Sequence, residues 1–439
     1  MTSDRISIVE TISEDDNQIK DSDFFWIGVI PASWEVKPLK SISSILMGQS
    51  PSSSEVNETD SLPFLQGNAE FGPYSPTPIH YCDTAVKRCK TGDVLMSVRA
   101  PVGATNVADQ PYGIGRGLCA FTPWIDPSFL RYVLQNHSSD FLYYSNGSTF
   151  DAITVESLRN FMVAVPPINI QKRIVSYLDA QCALIDSQIQ SVEVSIKKLE
   201  EIKQSIIFKA VTKGFDTSVS LVDTGIPWIG FVPTDWEIDR IRSSCTLKGR
   251  IGWQGLKADE FIDEGPYVIT GVDFDNGKIN WSTCNHFSKE RYDEDPNIHV
   301  KEGDLLITKD GTVGKVAIAI DAPDEVSLNS GVMIIRPCIE LDRNYLRYVL
   351  TSQVFWNWYE SNQRGNSTIR HLYQEQFYDF KYPFPPVATQ TKIASYLDEQ
   401  CNFIDQLIQK KGMLLEKLSS LKHSLVYELV TGKRLLEEV

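Results

Sequence analysis

Two short stretches carry residue types that could read a nucleic acid. Thr91 to Gly103 reads TGDVLMSVRAPVG, and Glu302 to Gly314 reads EGDLLITKDGTVG. Each puts a triplet carrying polar side chains, Ser97-Val98-Arg99 or Thr308-Lys309-Asp310, between a strand-like apolar run and a Val-Gly turn. Polar groups on a turn leaving a rigid strand are well placed to reach base edges or phosphates. Because the turns differ, the two copies would read different things. Further candidates for DNA contact are Lys87, Arg88, Lys90, Arg116, Lys248, Arg250, Thr312, Lys315, Asn329, Arg364 and Arg370. The pairs Ser148-Thr149 and Ser367-Thr368, at matching places ahead of a closing apolar run, complete the set.

Catalytic groups are harder to find. Gly311-Thr312-Val313-Gly314-Lys315 has neither the loop length nor the hydroxyl after lysine of a phosphate-cradling G-x-x-x-x-G-K-[ST]. Gly113-Ile114-Gly115-Arg116-Gly117 lacks the G-x-G-x-x-G spacing. Pro166-Pro167 and Pro385-Pro386 have no preceding Asn or Asp, which an amino-methyltransferase element would need. Six histidines form no H-E-x-x-H, and eight cysteines form no C-x-x-C. Reduced thiols in a cytoplasmic protein are therefore expected, without a metal site. The chain reads as a binder with no catalytic residues and no cofactor of its own.

Composition limits what it binds. With 42% hydrophobic and 10% aromatic residues the 439-residue chain is globular, and no apolar run approaches the ~18 residues of a membrane span. The net charge is −15. Residues 1–23 alone carry two basic and seven acidic side chains. DNA contact would thus rely on local basic patches, or on a partner that neutralises most phosphates.

The elements that position these turns are duplicated. PPINIQKRIVSYLDAQCALIDSQI from Pro166 returns as PPVATQTKIASYLDEQCNFIDQLI from Pro385, and about twenty of 47 ungapped positions are identical. Trp26-Ile27-Gly28 with Trp34-Glu35 matches Trp228-Ile229-Gly230 with Trp236-Glu237, tryptophans best read as anchors fixing the chain to a domain. LRYVL occurs at Leu130–Leu134 and Leu346–Leu350, in segments with helical spacing. The duplicated stretches carry an apolar seam at three- and four-residue steps. It comprises Ile185, Ile189, Val192, Ile196, Leu199, Ile202 and Ile206, then Ile404, Ile408, Leu415, Leu418, Leu421 and Leu425, with Lys411 as the one break. Two helices of ~40 residues, ~60 Å each, are expected to pair antiparallel and bury these seams.

As a set, these motifs resemble the specificity subunit of Type I restriction–modification enzymes, from Trp26 to about Lys433. The resemblance implies an α+β protein. Two α/β target-recognition domains lie in an inverted pseudo-two-fold arrangement, separated by two long antiparallel helices that form a coiled coil. The expected boundaries are an acidic segment 1–23, recognition domain 1 over 24–165 and a first spacer helix over 166–214. Lead-in and recognition domain 2 follow over 215–384, the second spacer helix over 385–433, and a tail over 434–439. The resemblance also implies that each domain reads half of a bipartite double-stranded DNA site. It further implies two methyltransferase subunits using S-adenosylmethionine, and two restriction motor-nuclease subunits using ATP and Mg2+. The competing expectation is a non-catalytic scaffold spacing two protein-binding domains, which the acidic charge favours and which salt-insensitive binding would reveal. A bifunctional hydrolase is the third.

Overall fold

The computed structural model describes residues 18–59, 61–138, 140–141, 153–216, 218–250, 255–362 and 370–436. The chain divides into two compact units, Met1–Val192 with Met413–Val439, and Glu193–Gly412. No helix among the described residues is long and apolar enough to cross a membrane.

In the first unit the chain enters through an antiparallel hairpin, Ile19–Asp21 against Val29–Pro31. Residues 19–21, assigned from sequence to a separate acidic segment, are thus strand. The lead-in tryptophans anchor as expected: the Trp26 indole donates to the Met162 carbonyl at 3.0 Å, and Trp34 is buried. Ser43–Met47, Leu118–Pro123, Val94–Ser97 and Thr105–Val107 form an antiparallel sheet in that order. A second sheet orders His80–Tyr81, Pro63–Leu65, Tyr112–Ile114 and Arg88–Cys89, its middle pair parallel. Asp126 caps the helix Pro127–Asn136, accepting from the Ser128 and Phe129 amides, with proline at the first helical position.

The second unit repeats this plan. Its hairpin is Leu221–Asp223 against Phe231–Pro233, and the Trp228 indole donates to the Lys381 carbonyl at 3.0 Å. Cys245–Gly249, Val332–Pro337, Leu305–Thr308 and Val316–Ile318 keep the first unit's strand order, and Lys278–Ile279 and Phe274–Asp275 extend the sheet to six strands. Asn285–His286, Ile262–Ile269 and Val326–Leu328 make the smaller sheet. The sequence suggests one helical stretch after Asn344, but Ser352 divides it into Arg343–Thr351 and Gln353–Asn362. The Ser352 hydroxyl donates to the Val349 carbonyl and accepts from the Val354 amide, a local bonding pattern that competes with helix continuation.

The duplicated stretches are helices of 46 residues, Ile168–Lys213, and 44 residues, Val387–Val430. The first is roughly 69 Å long at 1.5 Å per residue. Each start is tied down by the glutamine that follows Pro-Pro. Gln171 donates to the Pro166 carbonyl at 2.8 Å and accepts from the Asp126 amide at 2.9 Å. Gln390 does the same with Pro385 and Asp342, at 2.8 and 2.9 Å. Within the first unit Ile185 and Ile189 pack with Leu418 and Leu425, and Lys422 donates to Asp186 at 2.6 Å. Within the second unit Ile206 and Ile207 join Cys401, and Lys203 donates to Asp405 at 2.6 Å. Passing from Asp186 up to Lys203 on one helix passes equally far down from Lys422 to Asp405 on the other, which is antiparallel pairing.

Two seam assignments are corrected. Ile202 is 49% and Leu421 55% exposed, and the seam positions belong to the neighbouring Lys203 and Lys422. A heptad alternates steps of three and four, so after the step of three from Ile196 to Leu199 the next seam residue is 203. Lysine stems cover the seam while their ammonium groups reach Asp405 and Asp186. Ile185, Ile404 and Leu425 are buried, while Ile189, Val192, Ile196, Leu199, Ile206, Ile408, Leu415 and Leu418 are half-buried.

Candidate nucleic-acid interface

The two turns singled out from sequence leave the central strands Val94–Ser97 and Leu305–Thr308, whose residues are all buried. Both are braced by the hydroxyl that ends the strand. Ser97 Oγ donates to the Pro101 carbonyl at 2.7 Å and accepts from the Ala104 amide at 3.0 Å. Thr308 Oγ1 likewise donates to the Thr312 carbonyl and accepts from the Lys315 amide at 2.9 Å. Gly103 and Gly314 close the turns at φ of +90° and +87°. A Cβ there would come within 2.3 Å of Ser138 Cβ in one case and 2.6 Å of the Trp356 ring in the other. The brace and the closing glycine are therefore shared, while the residues they hold differ: Val98 against Lys309, Arg99 against Asp310, Pro101 against Thr312, Ala104 against Lys315.

Several predicted contact residues are committed to the scaffold. Ser97 is 1% exposed, its hydroxyl spent inside the turn, so it braces rather than reads. Arg250 is 2% exposed and holds the Leu328 carbonyl and the Ser327 hydroxyl. Asn329 clasps both the amide and the carbonyl of Leu256. The Arg88 guanidinium binds the carbonyls of Ala85 and Asp83. Asp310 pairs with His371, with the His371 ring beside Tyr373. Arg99, Arg116, Lys248, Thr312 and Arg370 are exposed, and Lys87, Lys309 and Lys315 half-buried. Ser148, Thr149, Arg364, Ser367 and Thr368 lie outside the described residues.

The structure gathers Arg250, Lys309, Lys315 and Asn329 around the second unit's turn. Lys315 Nζ donates to the Gly271 carbonyl at 2.9 Å, and Lys309 Nζ reaches the Arg250 carbonyl at 3.4 Å. Burial holds the Lys309 pKa below the usual lysine range, with the nearby Asp310 charge working the other way. Burial also lowers the Arg250 pKa, with Arg291 adding to the effect.

In the first unit, Arg116 instead borders an open cleft of about 810 Å³ lined by Ser50, Gln66, Asn68, Glu70 and His80. Gln66 Nε2 donates to Ser50 Oγ at 2.8 Å. Glu70 is 6% exposed, and one of its carboxylate oxygens has no hydrogen-bond partner among the described residues. Sequence reasoning missed this cleft because strands of two and three residues leave no periodicity. The only signal is the polar run from Gln49 to Glu58. Gly115 packs against Gln66 behind it: a Cβ there would lie 2.8 Å from Gln66 Oε1, so this glycine string serves packing.

Among the described residues no group of three or more His, Cys, Asp or Glu is placed to hold a metal. All eight cysteines are free and seven are buried. Burial pushes Cys89, Cys245 and Cys284 up to about 12, which leaves them protonated and unreactive at neutral pH.

A family pattern described as the Type I restriction modification DNA specificity domain matches residues 31–201 and again 233–417. The chain belongs to this family, with two such domains. It is 38% identical over 187 residues to a Methanocaldococcus jannaschii protein provisionally named the MjaX type I restriction enzyme specificity subunit. That alignment takes in 41% of this chain and 43% of the relative, so it spans less than half of that protein. The MjaVIII specificity subunit of the same organism is 24% identical, with 70% of each chain covered. The Escherichia coli EcoBI specificity subunit is 20% identical over 91% of this chain and 86% of its own. The fold matches a chain from a solved structure concerned with complex assembly and conformational transition of the type I R–M system. The TM-score is 0.71 at 17% identity, with 92% of this chain and 99% of the other covered.

Proposed function

We propose that this chain is the DNA sequence-specificity subunit of a cytoplasmic Type I restriction–modification complex. The first recognition domain, extended from residue 24 back to the hairpin strand that starts at Ile19, runs to 165, and the second spans 215–384. Each reads one half of a bipartite, asymmetric double-stranded site. The paired helices, 166–214 and 385–433, set the unspecified spacer. The observation that carries this reading is one braced turn used twice with unlike residues on it: Val98, Arg99, Pro101 and Ala104 against Lys309, Asp310, Thr312 and Lys315. The candidates left to meet DNA are Lys87, Lys90, Arg99, Arg116, Lys248, Thr312 and Arg370, together with Lys309 and Lys315, which are half-buried and each hold one backbone carbonyl.

The chain works by recognition and recruits catalysis. Two adenine-N6 methyltransferase subunits would bring S-adenosylmethionine, and two restriction subunits ATP and Mg2+. Duplicated surface positions support two identical partners. Leu184, Met413 and Leu421 are exposed in the first unit, and their repeat equivalents Phe403, Val194 and Ile202 are exposed in the second. Exposed apolar side chains kept at matching positions fit a contact made once per unit. The acidic chain fits a complex in which the methyltransferases neutralise most phosphates. Co-expression with a methyltransferase and sequencing of the methylated bases tests this. A gapped site with two different halves is expected. Loss of the chain without loss of any methylated site would overturn it.

A further inference from the structure

Lys309 and Lys315 share an unusual setting. Both are half-buried, both ammonium groups bind a backbone carbonyl, and among the described residues neither makes an ion pair. Asp310, the adjacent carboxylate, is paired with His371. Burying a charge without a counter-ion is costly, and an incoming anion would offset that cost. Lys309 meets only the backbone carbonyl of Arg250, whose buried guanidinium is spent on the Leu328 carbonyl and the Ser327 hydroxyl. At the equivalent turn positions the first unit has Val98 and Ala104. The equivalence is structural, since the Ala104 and Lys315 amides donate to the same bracing hydroxyl.

We propose that Lys309 and Lys315 form a phosphate clamp, each ammonium group binding its own phosphodiester of the duplex backbone at the second half-site, and that the first unit's turn has no counterpart. This rests on the DNA-reading function proposed above and adds to it a division of labour. The second unit holds the backbone at its turn, whereas the first meets the duplex there through Arg99 alone. A phosphate contact fixes register without reading sequence. Removing it should therefore weaken binding to every sequence alike.

The test is the salt dependence of binding by the full chain, co-purified with its methyltransferase, on its bipartite duplex. Each lost phosphate contact lowers the slope of log affinity against log salt by about 0.9. K309Q and K315Q should each show that fall, and together about 1.8, with both half-site sequences unchanged. K309R and K315R should keep the original slope. If the double variant does not fold, the single variants decide. A glutamine variant that binds with an unchanged slope overturns the clamp, and so does a changed letter in the second half-site, which would make these lysines base readers. If the unsubstituted complex binds no bipartite duplex, the proposed function falls and the clamp with it. A duplex that is bound, with unaltered slopes, sinks the clamp alone.

Discussion

The first unit attaches its LRYVL helix to the long helix through Asp179, which accepts from the Tyr132 hydroxyl at 2.6 Å and has Arg131 no nearer than 3.7 Å. The second unit uses Asp398, which takes Tyr348 at 2.7 Å and also Arg347 at 2.8 Å. These joints are repeat equivalents, and they have stayed nearly the same. The turns that project from the central strands have not. Duplication has preserved what each unit needs to fold and released what each presents. Three substitution pairs probe how far that sameness extends.

The largest effect is expected in the cores. Leu178 and Leu397 are equivalent and fully buried. Truncation to alanine should cost about 3 kcal/mol in either place. Hydrogen exchange followed separately in each unit is the right measurement, because a chain of two units has no single unfolding free energy. Costs differing by more than about twofold would mean that the shared scaffold is packed unequally.

A smaller and deliberately unequal effect is expected at the joints. Y132F leaves Asp179 with only the distant Arg131, while Y348F leaves Asp398 its close arginine. Loss of one such hydrogen bond should cost the first unit about 1 kcal/mol and the second about half that. The reverse order, read by the same exchange measurement, would show that Arg347 does not compensate.

The smallest effect belongs to the lysines of the helix pair. Their carboxylate partners are half-exposed, with side-chain exposures of 50% for Asp405 and 54% for Asp186. K203L and K422L should each shift stability by less than about 1 kcal/mol. A loss of several kcal/mol, read by hydrogen exchange in the unit that carries each pair, would show that these pairs are desolvated and fix the register.

Much of this architecture was legible because the chain repeats itself. The Pro-Pro boundaries, the central strands and the helix pair all follow from residues that occur twice at matching spacing. The seam failed only at Ile202 and Leu421. There an apolar residue sits one place before a lysine whose long stem does the covering, and residue type alone points to the wrong one. The site was less legible. Ser97 and Asn329 are polar and sit on turns, which is equally true of a reader and of a brace; only their bonded partners distinguish the two. Glu70 and Gln66 gave no signal, since they come together through a fold of very short strands.

The crossed ion pairs have a consequence for self-association. Asp186 and Lys203 lie on one helix, Asp405 and Lys422 on the other, so each copy of the repeat contains both the lock and the key. A chain ending near residue 216 would offer a second identical chain every charge that its own missing half supplied. Two such chains are expected to join as a symmetric dimer, visible by sedimentation, and a persistent monomer would refute this. Such a dimer would present one turn twice, where the full chain presents two that differ.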